Sequence, residues 1–164
     1  MPDVNTATET ALDVIDQFKA EIPVRVGALA QALGLGVLRS TLQPGISGQI
    51  EPSPDFASGY VIRVNRHEPK NRQRFTIAHE IGHYMLHRDR IGSGIKDTKL
   101  YRSRLSNAME AEANRYAANL LMPVAELRNR LSQLNLPRNE ESADMLANIF
   151  GVSNDAMEIR LGLR

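Results

Sequence analysis

A chain of 164 residues, 42% hydrophobic and 24% charged, has the size of one globular domain and can bury roughly 70% of its unfolded surface. It contains no cysteine, which excludes a disulfide framework, a thiolate nucleophile and a Cys-type zinc site; any zinc must be held by histidines and carboxylates. A net charge of +1 argues against a general polyelectrolyte binder. No apolar run nears the ~20 residues of a membrane span and the N-terminus lacks a basic, apolar secretory pattern, so the expected compartment is the cytoplasm.

In chain order, residues 6–20 read as a helix, with Ala11, Leu12, Val14, Ile15 and Phe18 forming one apolar stripe. Pro23 interrupts, and residues 26–33 read as a short second helix stopped by Gly34 and Gly36. The period then changes. Segments 37–42, 46–50 and 60–65 carry strand-like patterns separated by Gln43-Pro44-Gly45 and Pro52-Ser53-Pro54-Asp55, which predicts a small antiparallel sheet of about three strands. From Pro69 to about His87 the pattern is helical and apolar on more than one side, the mark of a central helix. The stretch 88–107 is long for a loop in a compact domain and is either functional or hides a strand. Helices follow over 108–121, 124–134, 141–150 and 155–161. The expected class is α+β in one domain, 1–164, with N-terminal helices (1–36), the sheet (37–66), a central helical part (69–123) and a C-terminal helical segment (124–164).

Three of the four histidines, His79, His83 and His87, crowd into this central helix. His79-Glu80-Ile81-Gly82-His83 is an H-E-x-x-H sequence, expected in about 0.6% of shuffled chains of this composition. Residues four apart share a helical face, so His79 and His83 can converge on one ion. Glu80 is rotated by about 100° from His79 and suits a general base acting on a water, not a ligand. Gly82 inside a helix costs about 1 kcal/mol relative to Ala, so close approach of another backbone or of a substrate must explain it.

A catalytic zinc needs a third protein ligand. His87 lies about 12 Å along the axis from His79, too far for that role; it suits the end of its helix or the rim of a cleft. The helix 108–121 offers Glu110 and Glu112. Glu110 shares a face with Ala113, Asn114 and Ala117, where a buried carboxylate requires a compensating cation, whereas Glu112 stands with Arg115, Tyr116 and Asn119 in a pattern typical of a solvated surface. Glu110 is therefore the expected ligand. Asn114 can orient a ligating histidine through its other ring nitrogen. His87, Tyr84 and Tyr101 are the available donors for an oxyanion.

The run 75–87 (Phe75 to His87), Tyr101-Arg102-Ser103, and the run 110–123 (Glu110 to Pro123) together resemble the ImmA/IrrE family of metallo-endopeptidases. Gly48-Gln49-Ile50, Tyr60-Val61-Ile62, the tail 146–153 and the residues Ala156-Met157 and Arg160-Leu161 extend the resemblance from about residue 24 to 161. It implies a zincin-like core with the H-E-x-x-H helix at its centre, zinc on His79, His83 and Glu110, and Glu80 as base, as in gluzincins; the His/His/Glu donor set would also accept manganese. It further implies a protein substrate, a helix-turn-helix repressor encoded nearby whose cleavage switches on mobile-element or stress genes, with a toxin as another conceivable partner. No separate DNA-binding domain is expected before residue 24, so the chain reads as the stand-alone form.

Two other classes compete. A non-proteolytic interaction protein or antitoxin would keep the metal fold, but Glu80 is superfluous in a closed structural site. Segment 145–160 has the look of a helix-turn-helix, yet residues 153–160 offer only Asn154 and Arg160 to read bases, so direct nucleic-acid binding is not expected. Basic residues flank the motif, five Arg or Lys against one Glu over 63–74 and six against two Asp over 88–104, which raises the question of a basic cleft rim that steers an acidic partner.

Overall fold

The computed structural model describes residues 4–97 and 107–164. Within them the order is α1 (Val4–Lys19), α2 (Val26–Ala32), β1 (Gly36–Ser40), β2 (Gly48–Pro52), β3 (Tyr60–Asn65), α3 (Lys70–Leu86), a 3-10 turn (Arg88–Arg90), β4 (Ile95–Asp97), α4 (Asn107–Leu121), α5 (Val124–Gln133), α6 (Glu140–Phe150) and α7 (Asn154–Arg160). The α+β class is as expected. Local chemistry accounts for the boundaries. Asn139 caps α6 by accepting from Ser142 N, and Ser153 caps α7 by accepting from Ala156 N, the roles their short polar side chains favour. Pro69 and Pro123 stand immediately before α3 and α5, where a missing N–H costs nothing.

The sheet differs from the expected antiparallel trio. Its strand order is β1-β3-β2-β4. β3 is antiparallel to β2, with Ile62 opposite Ile50, and β2 is antiparallel to β4, with Ile50 opposite Ile95, but β1 runs parallel to β3, with Val37 beside Ile62. β4 is the strand within the long stretch after α3. The correction has a physical reason: side-chain alternation reports which face a strand buries and is blind to which neighbour it bonds. The pattern on β3, where Val61, Ile62 and Val64 are all buried, is that of an interior strand.

α3 lies across this sheet. It packs most extensively against α4 and also meets β2, β3 and α2. Its residues from Thr76 to Tyr84 are buried without a break, so it has no solvent face over two turns. Gly48 on β2 permits the close seat, because a Cβ there would collide with the Thr76 methyl of α3. One apolar cluster joins Ile15 of α1, Leu29 of α2, Ile50 and Ile62 of the sheet, Ile81 of α3, Leu120 of α4, Phe150 of α6 and Met157 of α7. No described helix is long and apolar enough to cross a membrane.

Candidate metal centre

The centre arises from the way α3 and α4 meet. A Cβ on Gly82 would lie 3.2 Å from Tyr116 Cβ and 3.3 Å from the Ala113 carbonyl oxygen, so only glycine lets the α4 backbone come this close. Glu110, Ala113 and Ala117 form the buried face of α4 that Gly82 receives. Glu110, one turn before Ala113, is thereby carried over the two histidines.

His79 Nε2 is 3.3 Å from Glu110 Oε2 and His83 Nε2 is 3.1 Å from Glu110 Oε1. Ligand bonds of about 2.0–2.1 Å in a tetrahedron place ligand atoms roughly 3.3 Å apart, so both separations suit a single shared ion. All three residues are buried, and each offers one ligand atom within 4.8 Å of the others. Proton placement favours the same reading. His79 Nδ1 is 2.8 Å from Asn114 Oδ1, an acceptor, so the ring proton sits on Nδ1 and the Nε2 lone pair faces Glu110. His83 Nε2 is buried and has Glu110 Oε1 as its near neighbour at 3.1 Å. Two ring nitrogens and a carboxylate brought together inside a protein need a cation, a proton or a metal ion, between them. The residues present fit a divalent metal.

Their ionisation agrees. Burial depresses the His83 imidazole below its ordinary value, an effect that contact with Glu110 only partly offsets. Burial opposes ionisation of Glu110, but contact with His79 and His83 outweighs it and holds the carboxyl well below the usual carboxylate range. A neutral imidazole and an ionised carboxylate are the ligating forms.

Residues 30–162 match the sequence model of peptidase family M78, described as the IrrE N-terminal-like domain. The chain belongs to this family. The M78 match takes in every residue of the centre. No curated protein is matched by the chain. Among solved structures this M78 chain is similar to a Mycobacterium tuberculosis transcriptional regulator, with a TM-score of 0.61 and 20% sequence identity over 96% of this chain and 47% of that one. The chain thus spans about half of that regulator's length, and the likeness is one of fold.

The remaining candidates fall in different places. Glu80 is fully buried on α3, one residue beyond His79. His87 closes α3: its backbone N–H donates to the His83 carbonyl at 2.8 Å, as a helix-end residue does. Its ring, however, turns inward, with Nδ1 3.0 Å from His83 Nδ1 and Nε2 3.5 Å from Glu112 Oε2. Sequence reasoning missed this contact, although the i,i+4 spacing that pairs His79 with His83 also pairs His83 with His87. Glu112, read as surface, is half-exposed and faces His87, not the three ligands. Tyr84 lies elsewhere. Its ring packs edge-on against Tyr60 at 5.8 Å with the Arg88 guanidinium over it at 3.9 Å, about 100° around the helix from His83. Those surroundings are those of a packing residue. Tyr101 lies outside the described residues.

A cleft of about 480 Å³ opens beside Glu110 and Asn114, lined also by Phe75, Ala118, Met122 and Ile159 and by Arg72 and Arg115. Much of the basic cluster over 63–74 is occupied by the fold: Arg63 pairs with Glu51, Arg72 with Glu68, and Arg74 donates to the carbonyls of Gly151 and Phe150. Arg160, one of the two residues considered as base readers, donates from Nε and Nη2 to the Met122 carbonyl beyond the end of α4, at 3.1 and 2.8 Å.

Proposed function

We propose that the chain is a zinc-dependent endopeptidase in which His79, His83 and Glu110 hold the ion and Glu80 is the general base. The observation that carries this is the convergence of two imidazole Nε2 atoms and one carboxylate at 3.1 and 3.3 Å in a buried pocket beside an open cleft. A divalent ion held there supplies Lewis acidity, activating water near neutral pH and polarising a scissile carbonyl. The chain's residues do the rest. Glu80 takes the proton of the attacking water and delivers it to the leaving amine. Asn114 fixes the His79 ring so that Nε2 faces inward. The cleft seats the substrate segment, its Arg115 favouring acidic residues.

The substrate we infer is a helix-turn-helix transcriptional repressor in the cytoplasm, cut to release mobile-element or stress genes. The family resemblance supports this, and a regulatory target accords with the printed name of the similar regulator. The His/His/Glu donor set would also accept manganese. Glu80→Gln tests the reading. The variant is expected to retain zinc at one ion per chain by elemental analysis and to lose cleavage of a repressor encoded nearby by about 10²- to 10⁴-fold. Cleavage retained in that variant would remove Glu80 from the reaction. A zinc-loaded wild-type protein that leaves such repressors intact would return the chain to the non-proteolytic class.

A further inference from the structure

The third histidine of the central helix is not used by the reading above, although it is among the most buried polar residues of the molecule. His87 is 4% exposed, its Nδ1 lies 3.0 Å from His83 Nδ1, and its Nε2 lies 3.5 Å from a carboxylate oxygen of Glu112. A hydrogen bond between two imidazole nitrogens contains one proton, and either ring can own it. The neighbours decide. His83 Nε2 faces Glu110 at 3.1 Å within the ligand group, so a ligating His83 must keep that nitrogen bare and carry its proton on Nδ1. His87 Nδ1 is then the acceptor, and its own proton stands on Nε2, which points at Glu112. The carboxylate favours that tautomer: it attracts an N–H and repels a bare nitrogen. At 3.5 Å this is an electrostatic contact, longer than a well-formed N–H···O bond.

We propose that His87, biased by Glu112, is a positioning residue that fixes the tautomer and rotation of His83, as Asn114 does for His79. The two histidines of the H-E-x-x-H motif would then be held from opposite ends by different chemistry, an amide oxygen from α4 and an imidazole from the residue that ends α3. The order of protons runs in one direction, from His83 Nδ1–H to His87 Nδ1 and from His87 Nε2–H to Glu112, and requires no charged imidazole. The inference rests on His79, His83 and Glu110 being the ligands.

The test uses the full chain with zinc alone as probe. Zinc affinity is measured by competition with a chromophoric chelator, and imidazole tautomers are read from two-bond proton–nitrogen NMR correlations. In zinc-loaded wild-type protein His83 should carry its proton on Nδ1 and His87 on Nε2, a measurement that needs no variant. His87→Phe preserves bulk but removes the acceptor and should weaken zinc binding about 10- to 100-fold. His87→Asn returns an acceptor near the position of Nδ1 and should recover most of that loss. Glu112→Ala should weaken binding less than His87→Phe, because Glu112 is 44% exposed in its side chain. A proton on His83 Nε2, unchanged affinity in a folded His87→Phe, or equal losses in the Phe and Asn variants would each overturn the proposal. Wild-type protein that takes up no zinc would overturn the peptidase reading as well. Zinc-binding wild type with indifferent His87 variants would overturn the positioning role alone.

Discussion

Replacing Gly82 with alanine sets helix propensity against packing. In an exposed helix interior the change gains about 1 kcal/mol, because alanine loses less backbone freedom on folding. At position 82 the new Cβ would stand 3.2 Å from Tyr116 Cβ and Cδ1 and 3.3 Å from the Ala113 carbonyl oxygen. Carbon atoms prefer separations of about 3.5–4.0 Å, so relief requires a shift of a few tenths of an ångström, and two of the three contacts are to the Cβ and backbone of α4, which no rotamer change can move. Overpacking of this kind costs about 1–3 kcal/mol, which exceeds the propensity gain; we expect a net loss of about 1 kcal/mol. The more telling consequence is at the centre. Glu110 lies one turn from Ala113 on the same helix, so separating α4 from α3 lengthens the 3.1 and 3.3 Å gaps to His83 and His79. Urea unfolding of the metal-free protein reads the first effect and chelator competition for zinc the second. Gly82→Ala protein that is more stable than wild type and binds zinc equally well would refute the idea that close helix approach builds the site.

Zinc at 100 times its dissociation constant should stabilise the wild-type protein by about 2.7 kcal/mol in thermal melts, an increment that Glu110→Ala should largely abolish. Acid should act in one direction. Glu110 has a depressed folded pKa, so its stabilisation is present above its unfolded value and is lost as pH falls; His83, also depressed, binds its proton more readily when unfolded, so stability again declines as pH drops below 6.5. Metal-free stability and zinc affinity should therefore both fall from pH 6.5 downward, and a rise in either over that range would contradict the assigned ionisation. Phe150→Ala, at a fully buried position where the apolar cluster joins α6 to α3, should cost about 3–5 kcal/mol in urea unfolding; a loss under 1 kcal/mol would mean the C-terminal helices are not part of the same core.

Most helices, and the residues that could hold a metal ion, are legible in the sequence for local reasons. Turn residues, prolines and capping side chains mark ends within a few residues, and the i,i+4 spacing of His79 and His83 follows from helix geometry alone. The apolar face of residues 108–121 singled out Glu110 by the cost of an uncompensated buried carboxylate. The sheet was less legible. Strands 37–42, 46–50 and 60–65 were recognised, but the placement of β1 beside β3, its parallel sense and the addition of β4 to β2 depend on contacts between segments distant in sequence. The direction of the His87 ring is illegible for a related reason. Distance along the axis correctly discounted it as a ligand of an ion shared with His79, yet which way its ring turns is decided by Glu112 on a different helix.

The absence of cysteine and the crowding of three histidines already limit any metal site to nitrogen and oxygen donors, in a chain whose length suits one domain. That much follows from composition and spacing, which act over a turn or two of helix. Whether Glu110 reaches His79 and His83, whether His87 and Asn114 hold their rings, and why residue 82 must be glycine are settled only when α3 and α4 pack together. Ligand convergence is a property of two surfaces at a separation of a few ångströms, and no single element encodes it.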